Sequence, residues 1–304
     1  MTTTAAADPG HQQVSATLAK AARENFPVAP RFLPAAWRED LMAVYGYARL
    51  VDDAGDGDLA PGGADAVLLG LEADAADEPA ALLDALEADL DRVFARGGEA
   101  PRHPLVRGLL PTVRRTGLTA DPFRDLIEAN RVDQRVSRYA DREQLLAYCE
   151  LSANPVGRLV LAVTGTTTPE RVRRSDAICT ALQLIEHLQD VAEDLARDRV
   201  YLPATELRRF HVTERDLAAP TAGAALRALV ASEADRARRL LDDGAPLVGS
   251  VQGRLRMLLA GFVGGGRAAL AAITDARYDV LAGTPRPTRT GLLRAAGSTM
   301  RRGM

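Results

Sequence analysis

Apolar residues recur along this chain at steps of three and four, the period of one buried helical face. From Trp37 to Ala54 the stripe runs through Leu41, Val44, Tyr45, Ala48 and Val51. It stops at Gly55-Asp56-Gly57, and Pro61-Gly62-Gly63 follows as a breaker. The same spacing predicts helices over 64–73, 79–96, 104–116 and 121–134. Another spans Arg142–Thr164, opened by Asp141 as N-cap and kinked at Asn154-Pro155. A long helix is expected over Pro169–Ala196, a short one near 204–209, and two more over 223–246 and 249–281. Ahead of them, His11–Asn25 reads as a helix that stops before Pro27 and Pro30, and residues 1–11 read as a disordered lead. Strand alternation, hairpin turns, repeats and domain linkers are all missing from the pattern. The expectation is an all-α, single-domain bundle over 12–284 with a basic tail over 285–304.

Composition narrows the picture. With 304 residues and 47% hydrophobic content the chain can bury one large core or two small ones. Ala, Leu, Arg and Val dominate, which favours helices. The net charge of −3 with a pI near 5.9 gives nothing that suggests a nucleic-acid partner, which would show a basic stripe. Lys20 is the only lysine, and arginine, whose planar fork suits phosphate, carries the remaining positive charge. Cys149 and Cys179 sit in apolar-periodic segments and read as buried, reduced thiols of a cytoplasmic protein. Met1–Gly10 lacks the apolar core of an export signal, and the longest apolar run, Leu159–Thr164, is too short to span a bilayer. In the tail, Arg286, Arg289, Arg294, Arg301 and Arg302 interleave with Leu292 and Leu293. That pattern reads first as a frayed basic end, and second as peripheral contact with an anionic membrane.

Two acidic motifs carry the chemistry. Asp52 and Asp56 are four apart and share one helical face with Tyr45 and Arg49. The apolar stripe continues into Asp52, which places that carboxylate toward the interior, where it needs a cation. Asp190 and Asp194 repeat the spacing within Pro169–Ala196, on a polar stripe with Gln183 and His187 beside the apolar arc of Leu184, Ile185, Leu188 and Val191. Four carboxylates on two helices suit hard cations such as magnesium, which bridges carboxylates to substrate phosphates. Two such clusters are sized for a diphosphate. Metal ions and arginines then stabilise the charge on a departing diphosphate, and an apolar helical cavity shelters the resulting carbocation.

Tyr45-Gly46-Tyr47-Ala48-Arg49-Leu50-Val51-Asp52-Asp53 resembles the first signature of the squalene/phytoene synthase family of head-to-head prenyl-diphosphate synthases. Leu188–Asp194 followed by Arg197–Pro203 resembles the second. Glu24–Ala29, Ser152–Arg158 and Ser175–Thr180 are similar to its hydroxysqualene synthase branch, HpnC, of hopanoid biosynthesis. The resemblance implies an isoprenoid-synthase bundle around a central apolar cavity. It implies magnesium-dependent ionisation of presqualene diphosphate, capture of the cation by water, and release of hydroxysqualene and diphosphate without NADPH. Partner enzymes would make the substrate and reduce the alcohol. By the same resemblance Asp52, Asp56, Asp190 and Asp194 match the metal-binding acids. Tyr45, Arg49, Gln183, Arg199 and Tyr201 match positions near the diphosphate, and Phe26 and Tyr148 match pocket positions. Asn154 is the candidate for orienting the water, or else satisfies backbone freed by Pro155.

The departures from the family pattern are specific. Glu186 stands where asparagine is usual and is a further candidate metal ligand. His187 replaces an apolar residue and reads as an adjustable helix histidine. Gly57 replaces an acid, and Gly55 replaces a bulkier residue, which loosens the helix end. Three alternatives remain open: a squalene or phytoene synthase condensing two prenyl diphosphates, a silent homologue acting as a subunit, and a di-iron bundle. The last needs two Glu-x-x-His motifs, whereas Glu186-His187 is adjacent and single.

Overall fold

The apolar stripe that begins at Leu41 is buried as the spacing predicts, but its aromatic member is Tyr47 rather than Tyr45. In the computed structural model, which describes residues 9–21, 28–59, 63–72 and 75–302, Tyr47 is fully buried and Tyr45 only partly. Tyr47 packs edge-on against Phe123 at 5.3 Å and donates its hydroxyl hydrogen bond to the Phe123 carbonyl at 3.1 Å. The helices are α1 Pro9–Lys20, α2 Ala35–Asp56, α3 Ala64–Leu69, α4 Pro79–Phe94, α5 Pro104–Arg107, α6 Leu109–Thr116, α7 Asp121–Asp133, α8 Arg142–Ser152, α9 Asn154–Val163, α10 Pro169–Gln189, α11 Val191–Ala196, α12 Ala204–Arg209, α13 Glu214–Leu217, α14 Ala224–Gly244, α15 Gly253–Asp275 and α16 Arg289–Arg302. Among the described residues the sole β-type pairing is an isolated bridge between Arg138 and Val200.

The described residues sort into two compact units, one up to Gln134 together with Ala162–Gly165, the other Arg135–Leu161 with Thr166 onward. In the first, α2 packs against α4, α6 and α7 around Leu50, Leu83, Leu86, Leu90, Phe123 and Ile127. Its buried Asp89, His103 and Asp65 form one hydrogen-bonded group, as burial favours. Asp89 accepts the N–H groups of Arg102 and His103, and His103 Nε2 lies 3.1 Å from Asp65. In the second, α10 packs against α8, α14 and α15. Gly244 and Gly266 permit the close approach: a Cβ there would come within 2.5 Å of Ile178 and 2.8 Å of Leu182.

Several expected helices are divided or trimmed. Gly108 separates α5 from α6, and the predicted kink before Pro155 is a full break at Ala153. The long helix breaks at Asp190, whose backbone leaves the helical region (φ −106°, ψ 14°). Helix α2 runs past Gly55 to Asp56, because Gly57 takes the left-handed conformation (φ 70°) and caps it, its N–H donating to the Asp53 carbonyl. The tail is not frayed. Residues 289–302 form α16 against α15, where a Cβ on Gly264 would lie 2.6 Å from the Ala296 backbone. By length and composition α15 is apolar enough to cross a membrane, although 61% of its most apolar window is buried in protein. Arg254, Arg256 and Arg267 interrupt its apolar run, so its apolar character is not continuous in the sequence. Both cysteines are unpaired, and burial raises their thiols to about 12 (Cys149) and about 11 (Cys179).

Candidate functional site

The C-terminal half of α2 sorts its acids by face. Asp53 is the inward carboxylate, at 2.6 Å from Lys20 Nζ and 2.7 Å from Arg49 Nη2. Asp52 and Asp56 instead present surface to water, which corrects the expectation that Asp52 points to the core. The stripe turns by one residue once the helix is read through Tyr47 and Leu50. Asp52 is nonetheless hemmed in by protein, and that desolvation raises its pKa to about 6. Asn130 and Arg49 oppose the rise, while Asp56 and Asp53 add to it.

Asn130 on α7 is a site residue that the sequence did not disclose. Its Nδ2 donates to Asp52 Oδ1 at 3.1 Å and to the Leu126 carbonyl at 3.1 Å. Gly55 makes room for it, since a Cβ there would lie 2.0 Å from Asn130 Oδ1. Gln134 Nε2 donates to the Gly55 carbonyl at 2.7 Å. The glycine therefore admits a tight interhelical contact rather than loosening the helix end. A buried glycine one residue before Asp56 was the one available signal.

In the second unit, Asp190 sits at the break that ends α10, and Asp194 lies one turn further on, in α11. Burial raises the pKa of Asp194 to about 7, helped by Asp190, Glu186 and Glu193 and opposed by Arg199. Burial and Glu193 raise Asp190, against which Arg286 acts. Glu186 is exposed, and its charge acts on Asp194. The segment carrying Arg199 and Tyr201 is held by residues 137–140: Val200 N–H donates to the Ser137 carbonyl at 2.9 Å, and Ala204 N–H to that of Tyr139 at 2.9 Å. Tyr201 stacks on His187 at 3.8 Å, and Tyr139 and Tyr148 each lie 5.6 Å from Tyr201. Gln183 Nε2 is 3.3 Å from His187 Nε2. A small cavity is lined by His187, Asp194, Arg199 and Tyr201. His187 is a helix histidine as expected, but Tyr201 and Gln183 hold it in place rather than leaving it adjustable. It is buried, and burial lowers its pKa to about 3, so the ring is neutral. Arg286 belongs to this group although its sequence read as tail. Gln189 Nε2 donates to the Pro285 carbonyl, which fixes the segment beside α10.

Asn154 is buried and accepts a hydrogen bond from Thr180 Oγ1 at 3.0 Å. The segment around it docks onto α10. Arg158 holds both carboxylate oxygens of Asp176, at 3.0 and 2.9 Å. A Cβ on Gly157 would lie 2.3 Å from Ser175 Oγ and 2.6 Å from Cys179 Sγ. Ser152–Arg158 and Ser175–Thr180 are therefore two halves of one helix contact. Phe26 lies outside the described residues.

The structure thus gathers Arg49, Asp52 and Asp56 in one unit and Tyr148, Gln183, His187, Asp190, Asp194, Arg199 and Tyr201 in the other. Among the described residues no three His, Cys, Asp or Glu side chains converge to hold a metal by themselves. That donor set fits magnesium, which takes one or two carboxylates and completes its octahedron with water and phosphate oxygens. Burial is the main cause of the raised carboxyls of Asp52 and Asp194, so a cation beside either would favour its charged form.

The chain matches the squalene/phytoene synthase family over residues 19–292. It is 33% identical to the hydroxysqualene synthase of Rhodopseudomonas palustris over 230 residues, covering 75% of this chain and 72% of that one. It is 34% identical to the 15-cis-phytoene synthase of Synechococcus elongatus over 239 residues, covering 75% and 70%. Among solved structures, squalene synthase HpnC of Alicyclobacillus acidocaldarius superimposes with a TM-score of 0.74 at 38% identity over 92% of this chain and 97% of that one. A dehydrosqualene synthase shares the fold at 22% identity and a TM-score of 0.79, covering 96% and 97%. With its helices, its two acidic motifs and this match over most of its length, the chain belongs to the squalene/phytoene synthase family.

Proposed function

We propose that this enzyme ionises presqualene diphosphate and lets water capture the rearranged cation, yielding hydroxysqualene and diphosphate. The observation that carries this reading is the Asn154–Thr180 and Arg158–Asp176 contact, which makes one structural unit of the two segments resembling the hydroxysqualene branch. The 38% identity to HpnC over 92% of the chain supports it.

Asp52, Asp56, Asp190 and Asp194 would hold magnesium, which supplies Lewis-acid neutralisation of the leaving diphosphate. Arg49, Arg199, Gln183, Tyr45 and Tyr201 bind and orient its oxygens. Tyr148 would help shape the apolar pocket that keeps bulk water from the cation. Asn154 orients the one water admitted: a C–O bond forms from that water to the cation, and the proton leaves to solvent or diphosphate. No reductant enters this balance, so NADPH is not required. An upstream condensation supplies the substrate, and a downstream reduction consumes the alcohol. The work is cytoplasmic, with peripheral membrane contact.

The 34% identity to a phytoene synthase favours a second reading, condensation of two prenyl diphosphates. Mass spectrometry of products from purified protein with magnesium separates the two. A C30 alcohol from presqualene diphosphate supports the first. No turnover of that substrate, with condensation of farnesyl or geranylgeranyl diphosphate, establishes the second. Silence toward all of these would leave a non-catalytic subunit. Asp52→Ala and Asp190→Ala abolish turnover with helicity intact; retained turnover defeats the metal-clamp assignment.

A further inference from the structure

Residues Pro285–Met304 contain five arginines and no acidic residue. Helix α16 pins one face of this segment to α15. Ala296 lies against Gly264, Thr299 is 2% exposed and receives Arg267 Nη1 at 2.8 Å, and Arg256 Nη2 donates to the Met300 carbonyl at 3.0 Å. The opposite face carries exposed Leu293, Arg294 and Arg301, which fall within about 100° of one another round the helix, and exposed Arg289 stands at its first residue. Leu293 is 76% exposed, the most exposed of the large apolar side chains described. Beside the end of α16, the start of α15 adds exposed Arg254 and Met257. Asp242 of α14 leaves this charge standing, because Arg267 already holds it at 2.7 Å.

We propose that the outer face of α16 docks the protein on an anionic bilayer. A lone exposed leucine carries no message. A leucine ringed by arginines, on a helix fixed by its other face, matches what an interfacial helix needs: guanidiniums for lipid phosphates and an apolar side chain for the acyl boundary. The helix begins three residues after Arg286, whose charge acts on Asp190. Docking there keeps the second acidic motif close in sequence to the surface where prenyl lipids partition. That benefit rests on the proposed function, whereas the docking rests on charge and exposure alone.

The test is co-sedimentation of the full chain with vesicles of phosphatidylglycerol and phosphatidylcholine in equal parts, against phosphatidylcholine alone. The protein sediments with the anionic vesicles, stays in solution with the neutral ones, and is released by roughly 0.5 M salt, where screening is strong. R289Q/R294Q/R301Q weakens binding on the order of a hundredfold, and L293S weakens it severalfold, with circular dichroism and thermal midpoint unchanged. No binding to anionic vesicles, equal binding to neutral ones, or wild-type binding by the triple variant each overturns the proposal. Vesicle binding without turnover of any prenyl diphosphate would leave the docking intact and remove the enzymatic reading instead.

Discussion

His187 lies flat on Tyr201, their ring centroids 3.8 Å apart and their planes 10° from parallel. One imidazole thereby touches both Gln183 and Tyr201, two of the residues assigned to the diphosphate. Burial keeps the ring neutral, with a pKa near 3 against an ordinary 6.5. The unfolded chain therefore binds a proton that the folded chain refuses between those values. Stability from this group is full above pH 6.5 and is lost as pH falls through the window, by about a few kcal/mol at most. Denaturant melts at pH 7.5 and 5 should show wild type losing more stability than His187→Leu. Equal losses would mean that the ring is solvated in the native state.

Asp52 and Asp194 shift the opposite way, to about 6 and about 7. Folding disfavours their charged forms, so each destabilises the apo protein above its folded pKa, and the penalty is relieved as pH falls. Magnesium competes with those protons. Magnesium plus inorganic diphosphate should raise the thermal midpoint strongly at pH 8 and weakly at pH 5.5. Asp194→Asn should raise the apo midpoint at pH 8 and remove most of the metal response. An equal metal-induced shift at both pH values would sever the carboxyls from metal binding.

Gly55 leaves no space for a side chain, since a Cβ would meet Asn130 Oδ1 at 2.0 Å. Gly55→Ala must push Asn130 off Asp52. Overpacking of this kind costs about 1–3 kcal/mol, and turnover should fall with it. Adding Asn130→Ala makes room, so the double variant should recover much of the stability but little of the activity. Strict additivity in a double-mutant cycle would show that the two residues do not press on each other.

The helices were legible because helical periodicity is local, and so were the two acid pairs, whose four-residue spacing follows from it. What stayed hidden depends on contacts remote in sequence. Asn130 reaches Asp52 across 78 positions, and no spacing rule marks it. Which acid turns inward is not legible from spacing, because Asp52 and Asp53 differ by one step and the stripe runs past partly buried Tyr45. The tail looked frayed because its docking residues are Ala295, Ala296 and Thr299, small side chains that make no apolar stripe yet pack closely against Gly264.

Arg286 is the clearest case of a residue read as tail and placed by the structure beside an acidic motif. It is exposed, and its charge holds down the pKa of Asp190. The Gln189 contact with the Pro285 carbonyl keeps it beside the end of α10. A cation there is available to a diphosphate brought by magnesium to the same acids. Arg286→Gln should leave the thermal midpoint within about a degree, because exposed charges contribute little to stability. It should raise KM for the prenyl diphosphate roughly tenfold, the size of one charge-assisted hydrogen bond, with a smaller effect on kcat. Arg286→Lys should recover part of the loss. A variant with unchanged KM, or one that loses stability and affinity together, would place Arg286 in the packing of the segment rather than at the substrate.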